Sequence, residues 1–415
     1  DLYSGPLFRT VLIRTAPQVH YLLVIVHHIV SDGWSLGVFW REFYALYTAY
    51  LEGGEPEIPR LPIQFGDYAE WARVKVEKDF QRQTEYWKEQ LQGAPALLEL
   101  PADRPRPAVQ SFRGSQQSLV LRNSLTTKLR KLSQQEGVTL FMTLLAGFGA
   151  LLSRYTGNDD IIIGSPIAGR NRAETENLIG FFVNTVALRM KLNSAQTFRE
   201  LLSQVKNSAL EAFSNQELPF EKVVAAINPE RSLSHNLVYQ VAFALETDSG
   251  FVSELPGLQL DPVELGSSAA KFDLFLSARE EKDGLRLVAE FSSDLFDEAS
   301  IQRLLGHLQN LLESATQSVN RRISDLQLLS QEEEKQVLID WNQTASSIET
   351  EARIHDLMSR QAAKRPEAIA VSARGRQLSY RELDRLSNQI ARYLLRRGHN
   401  GNKPVGLLME RSIES

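Results

Sequence analysis

Two apolar runs open the chain. Leu7 to Arg14 and Val19 to Val26 read as strands, with Ala16-Pro17-Gln18 as the turn between them. The second run is apolar at nearly every position, which predicts a strand covered on both faces, deep in a sheet. A histidine pair follows it. Beyond Gly33 the period changes, and Phe39, Phe43, Leu46, Tyr47 and Tyr50 recur at helical spacing. Tyr68 to Leu91 reads as another helix. Pro101, Pro105 and Pro107 then crowd the passage Pro95 to Pro107. Proline fixes φ and removes amide donors, so no regular element is expected there, and the passage reads as a crossing between lobes.

From Gln117 onward helices and strands alternate. Phe141 to Tyr155 is a strongly apolar helix, Asp160 to Gly164 and Phe181 to Arg189 are strands, and Phe198 to Phe213 is a helix. Strand-like runs cover Leu237 to Leu245, Phe272 to Ala278 and Leu285 to Phe291, and Ile301 to Leu312 closes the block as a helix. Ser330 to Glu351 is polar and charged around Trp341-Asn342, which is linker composition. A new α/β pattern starts at Ile354: a helix to about Arg365, short strands at Ala368 to Val371 and Leu378 to Tyr380, a helix from Arg381 to Arg397, and a strand at Val405 to Met409. No internal repeat is visible. The chain lacks an initiator Met and ends soon after that last apolar run, so both ends are expected to be cuts in a longer sequence.

The 415 residues are enough for more than one domain, and 43% hydrophobic residues supply a core. The 46 basic and 51 acidic side chains are interspersed, and no basic block or stripe points to nucleic acid. The longest apolar run, Tyr21 to Val26, is too short to span a bilayer, and no signal peptide precedes it. The expected setting is the cytoplasm of a bacterium, without a membrane partner. With no cysteine there is no disulfide framework, thiol nucleophile or cysteine metal site.

His27-His28-Ile29-Val30-Ser31-Asp32-Gly33 is the sharpest candidate for chemistry. Adjacent side chains on a regular strand point to opposite faces, so one histidine should face the core and the other an opening. The pair is therefore a poor metal chelate, and no metal site is expected. A histidine at a strand end, backed by a carboxylate and a glycine, suits acyl transfer. The side chain titrates near neutral pH and can take a proton or orient an amine. Asp32 would pin the loop through an arginine, and Gly33 would let backbone or substrate approach. The same residues also suit an ordinary structural loop. Trp71, Tyr68 and Trp87 read first as packing, and Phe181, Phe182 and Val183 as core strand. Asn184, a polar side chain in an apolar strand, needs a partner. Pro219-Phe220-Glu221 reads as a helix start.

The histidine motif resembles the signature of the condensation domains of non-ribosomal peptide synthetases. The resemblance continues in order through Phe65-Gly66-Asp67-Tyr68-Ala69-Glu70-Trp71, then Ile179 to Thr185 with Arg189 behind it. Asn215 to Glu221 and Arg231-Ser232-Leu233-Ser234-His235-Asn236 complete it. It implies an α/β fold of two lobes, each similar to chloramphenicol acetyltransferase, arranged as a V. Residues 1–107 would form a truncated N-terminal lobe and 108–325 the C-terminal lobe, with a linker over 326–353. Residues 354–415 resemble the start of an adenylation domain, through Leu378 to Leu383 and Val405 to Ser412.

The resemblance also implies an activity. Upstream and downstream peptidyl carrier domains would present aminoacyl or peptidyl thioesters on 4'-phosphopantetheine arms. The acceptor amine would attack the donor thioester. His28 is the catalytic residue the resemblance implies, with His27, Asp32 and Gly33 as motif support and Ser31, Trp34 and Asn184 as channel or site lining. The chain itself would hold no cofactor, and ATP and magnesium would belong to the remainder of the adenylation domain. His27 argues against heterocyclising relatives, which carry Asp there. The intact Phe182 to Thr185 block argues against epimerising ones. The family's first two motifs, including an arginine that braces the motif Asp, would lie ahead of Asp1. Two further readings stand beside this one: a stand-alone acyltransferase using acyl-coenzyme A, and a condensation-like scaffold that recruits partners.

Overall fold

A computed structural model describes residues 2–246, 254–263, 268–345, 352–401, 403–410 and 412–414. Residues 346–351 of the expected linker and Arg411 of the last motif lie outside them. The chain divides into two compact units, Asp1–Glu334 and Lys335–Ser415.

In the first unit, β1 (Phe8–Ala16) and β2 (Val19–Val26) form an antiparallel hairpin with Phe8 opposite Val26. Among the described residues the hairpin is a sheet of its own, and most side chains of β2 are exposed, Tyr21 and Ile25 among them. An apolar run predicts burial only if other elements cover it, and none of the described strands pairs with either edge. Two long helices follow, α1 (Gly33–Glu52) and α2 (Phe65–Leu91). The second starts earlier than its apolar period suggested because the Asp67 carboxylate accepts the Gln64 amide at 2.8 Å and caps its first turn.

The passage 92–113 carries no helix and no strand beyond an isolated bridge at Arg113. Side chains tie it down instead. The Arg106 guanidinium pairs with Asp273, whose side chain is 3% exposed, and Arg104 pairs with Asp297. Beyond it come β3 (Gly114–Arg122), α3 (Asn123–Gln135), α4 (Leu140–Thr156), β4 (Asp160–Ile167), β5 (Asn184–Lys191), α5 (Phe198–Ser214), α6 (Phe220–Ile227) and β6 (Val241–Glu246). After the two-residue strands β7 (Glu254–Leu255) and β8 (Leu258–Gln259) come β9 (Leu274–Glu281), β10 (Gly284–Ser292) and α7 (Glu298–Gln317).

The main sheet has six strands in the order β3-β10-β9-β6-β4-β5. The β9–β6 and β6–β4 pairs are parallel and the others antiparallel. Every residue of α4 from Met142 to Leu152 is buried, where α4 packs with α5 and α7. A helix apolar on all sides is either a core helix or a membrane span, and this one is core. No single helix among the described residues is long and apolar enough to cross a membrane.

The expected linker begins with structure: α8 (Gln331–Leu338) and a 3₁₀ turn at Asp340–Asn342. The Tyr155 hydroxyl donates to His307 Nδ1 at 2.6 Å, and His307 Nε2–H donates to Glu333 at 3.0 Å. This half-buried line fixes the first turn of α8 against α7 and α4 within the first unit. Burial pushes the Tyr155 phenol up to about 12, so it stays a donor. The second unit holds α9 (Ile354–Lys364), β11 (Ile369–Ala373), β12 (Arg376–Ser379) and α10 (Tyr380–Arg396). Val405 to Met409, expected as a strand, pairs with no strand among the described residues. Apolar content cannot make a strand without a ladder partner.

Candidate functional site

Strand β2 ends at Val26, and His28–Val30 forms a 3₁₀ turn. Strand alternation therefore does not sort the two histidines, and both are exposed rather than one facing the core. The turn sorts them by hydrogen bonding. His27 Nδ1 accepts the Ile29 amide at 3.0 Å, so His27 caps the turn. His28 Nδ1 lies 2.7 Å from the Ser31 carbonyl oxygen. A carbonyl only accepts, so Nδ1 carries a proton, and in the neutral ring Nε2 keeps its lone pair. The Phe181 ring meets the His28 imidazole edge-on, with centroids 5.2 Å apart.

Beneath the turn lies a polar clamp that the sequence reading located only in part. Asp32 caps α1 by accepting the Ser35 amide at 2.8 Å, accepts the Phe182 amide at 2.9 Å, and pairs with Arg170 Nη2 at 3.2 Å. Burial raises the Asp32 pKa, but these donors outweigh it and hold the carboxyl below the usual carboxylate range. The Ser35 hydroxyl donates to the Gly180 carbonyl at 2.8 Å and accepts from the Gly180 amide and Arg170 Nη2. Arg170 Nη1 donates to the Thr175 and Leu178 carbonyls, and its guanidinium lies 3.9 Å from the Phe182 ring centroid. One guanidinium thus joins the motif loop to the segment between β4 and β5.

The resemblance placed a bracing arginine ahead of Asp1; within this chain the partner is Arg170, 138 residues after Asp32. A buried carboxylate calls for a cation, but with 46 Lys and Arg in the chain no spacing rule could single this one out.

The clamp also corrects other expectations. Phe181 to Val183 is not strand, because the Phe182 amide goes to Asp32 rather than to a ladder. Gly33 is not crowded: a Cβ there meets nothing within 4 Å. The close approach occurs at Gly169, which has φ +67° and whose Cβ would lie 2.1 Å from the Phe182 carbonyl oxygen. Hence Gly169→Ala should destabilise by more than about 1 kcal/mol, while Gly33→Ala should stay within about 0.5 kcal/mol of the parent. Denaturant unfolding of the two variants checks the contrast.

Of the three expected lining residues, Asn184 borders the cavity walled by Tyr68 and Trp71. Its amide donates to the Gln216 and Leu218 carbonyls, and its oxygen accepts the Phe220 amide, so it holds the turn before α6. Ser31 is buried under the histidine, and Trp34 donates its indole N–H to the Glu176 carbonyl at 2.8 Å. Trp87 is core, as expected. Tyr68 and Trp71 instead wall a cavity of about 400 Å³ with Phe181, Phe182, Arg172 and Glu217. The Arg172 guanidinium sits 4.3 Å from the Trp71 ring centroid. Burial, then the Glu217 charge, pushes the Tyr68 phenol up, so it stays neutral. No group of metal-ligating side chains occurs among the described residues.

His27→Ala removes a single exposed hydrogen bond. We expect a loss of about 0.5–1 kcal/mol in stability, which denaturant unfolding checks; a loss beyond about 2 kcal/mol would mean that His27 does more than cap the turn.

Residues 1–338 match the family model described as Condensation domain, and residues 358–415 match the one described as AMP-binding enzyme. A linear gramicidin synthase polypeptide of Brevibacillus parabrevis is 45% identical over the whole chain, which spans only 8% of that protein. The structure of holo-AB3403, a four-domain non-ribosomal peptide synthetase bound to AMP and glycine, matches 96% of this chain and 31% of its own. Its TM-score is 0.81 at 26% identity. The X-domain from teicoplanin biosynthesis matches 79% of this chain and 76% of its own, with TM-score 0.71 and 30% identity. This chain therefore belongs to the condensation-domain family and continues into a segment similar to an AMP-binding enzyme.

Proposed function

We propose that this chain forms amide bonds between aminoacyl or peptidyl thioesters held on carrier domains. His28 is its catalytic residue. The observation that carries the reading is the His28 tautomer: with Nδ1–H held by the Ser31 carbonyl, Nε2 is left to accept a hydrogen bond from an incoming amine. The amine nitrogen bonds to the donor's acyl carbon, the C–S bond breaks, and the proton leaves with the thiol. Holding the amine in attack geometry supplies part of the rate whether or not the proton passes fully to His28. His27, Asp32 and Gly33 support the turn.

The thioesters would ride on the 4'-phosphopantetheine arms of an upstream and a downstream carrier. ATP and magnesium belong to adenylation chemistry, which the 358–415 match brings in only by family. That match also favours this reading over a stand-alone acyltransferase, since an amino-acid-activating partner supplies thioesters rather than acyl-coenzyme A. The test is single-turnover transfer by this chain between two loaded carriers. Amide product from carrier thioesters, with none from acyl-coenzyme A, supports the proposal. Equal use of acyl-coenzyme A, or docking of carriers without product, would favour the other two readings.

A further inference from the structure

Phe181 borders two spaces. Its ring touches His28 on one side, and it lines the 400 Å³ cavity on the other. The cavity is amphipathic. Tyr68, Trp71 and Phe182 give it aromatic walls, while Arg172 and Glu217 place opposite charges on its lining. Arg172 is held over Trp71, and Glu217 lies 3.6 Å from Lys75. Arg73, Lys75, Glu221 and Lys222 add further charge, so an occupant would set an apolar part against the rings and leave its polar part among these groups. At about 400 Å³ it has room for one aromatic amino-acid side chain and the backbone next to it. Phe181 stands between it and the imidazole.

We infer that this cavity is a specificity subsite that receives a large apolar or aromatic side chain of one of the two aminoacyl thioesters, with Phe181 as the wall shared with His28. The inference rests on the reading of the chain as an amide-forming enzyme. The chemistry recognised is the side chain, and it can arrive on the donor or on the acceptor. Phe181 acts here as a positioning residue. An occupant of the cavity braces it, and it in turn braces the imidazole edge-on. Small substrates would leave the cavity empty and the wall less constrained.

Two substitutions change the cavity without touching His28. Ala72 lines it from α2, so Ala72→Phe fills it. Arg172 is exposed, so Arg172→Ala opens the wall beside Trp71 without disturbing the core. Transfer is measured with glycyl, leucyl or phenylalanyl groups loaded on one carrier at a time. Ala72→Phe should lower kcat/KM for phenylalanyl on one of the two carriers by about tenfold to a hundredfold and leave glycyl within about twofold. Arg172→Ala should weaken the phenylalanyl preference several-fold.

The binding arm needs no turnover. Calorimetry on the 415-residue chain with the N-acetylcysteamine thioesters of phenylalanine and glycine should show the former at least about fivefold tighter, and Ala72→Phe should erase the difference. Equal binding of the two thioesters, or equal slowing of glycyl and phenylalanyl transfer, overturns the subsite. Selective binding with no transfer by the parent keeps the subsite and removes the amide-forming reading. Discriminating transfer supports both.

Discussion

His28→Ala should reduce transfer between loaded carriers by about a hundredfold to ten-thousandfold, the range in which a positioned acid–base side chain contributes. Both carriers should still load, because loading does not use this turn. The fold should survive. His28 is exposed, and its side-chain hydrogen bond to the Ser31 carbonyl joins two ends of the same short turn. Single-turnover kinetics with unfolding measured in parallel checks this. Activity within about threefold of the parent, in a folded protein, would remove His28 from the chemistry. His28→Gln adds a finer test. It keeps a polar group but not the imidazole's paired nitrogens, so recovery there would point to amine positioning rather than proton transfer.

The second large effect lies underneath. Asp32→Asn should destabilise the first unit by about 3–5 kcal/mol, because it leaves a charged guanidinium buried without its counter-charge. The Arg170 and Asp32 side chains are 1% and 4% exposed, so water cannot replace the lost partner. An Asn amide would also present N–H groups to donors from Ser35, Phe182 or Arg170. Transfer should fall as the folded fraction falls, without a separate shift in its pH profile. The sign of the acid response follows from the lowered Asp32 pKa. The carboxylate's contribution is complete above the unfolded value of about 3.9 and is lost as pH falls through the lower folded value. The parent's advantage over Asp32→Asn should therefore shrink below about pH 4. A soluble variant of parental stability whose only defect is a displaced pH–rate curve would contradict this.

Much of this protein could be read before any coordinates. The helical period of α1, the apolar α4, the irregular passage around Pro101 to Pro107 and the turn at Pro17-Gln18 are local properties. Side-chain period, proline chemistry and turn residues act over a few positions, and each appears where expected. The histidine motif was legible for the same reason: its members lie in seven consecutive residues, and both histidine nitrogens that accept or donate within the turn find partners two or three residues away.

What only the tertiary structure decided involves partners far apart in sequence. Arg170 meets Asp32 across 138 residues, and Ser35 meets Gly180 across 145. The Phe182 amide is drawn out of the strand that its apolar neighbours predicted. The wall shared by His28 and the cavity is of this kind too. Phe181 looks like core in the sequence, and only folding sets one ring beside an imidazole and an amphipathic pocket at once. Burial and charge pairing depend on three-dimensional neighbours, whereas period and turn chemistry are written along the chain.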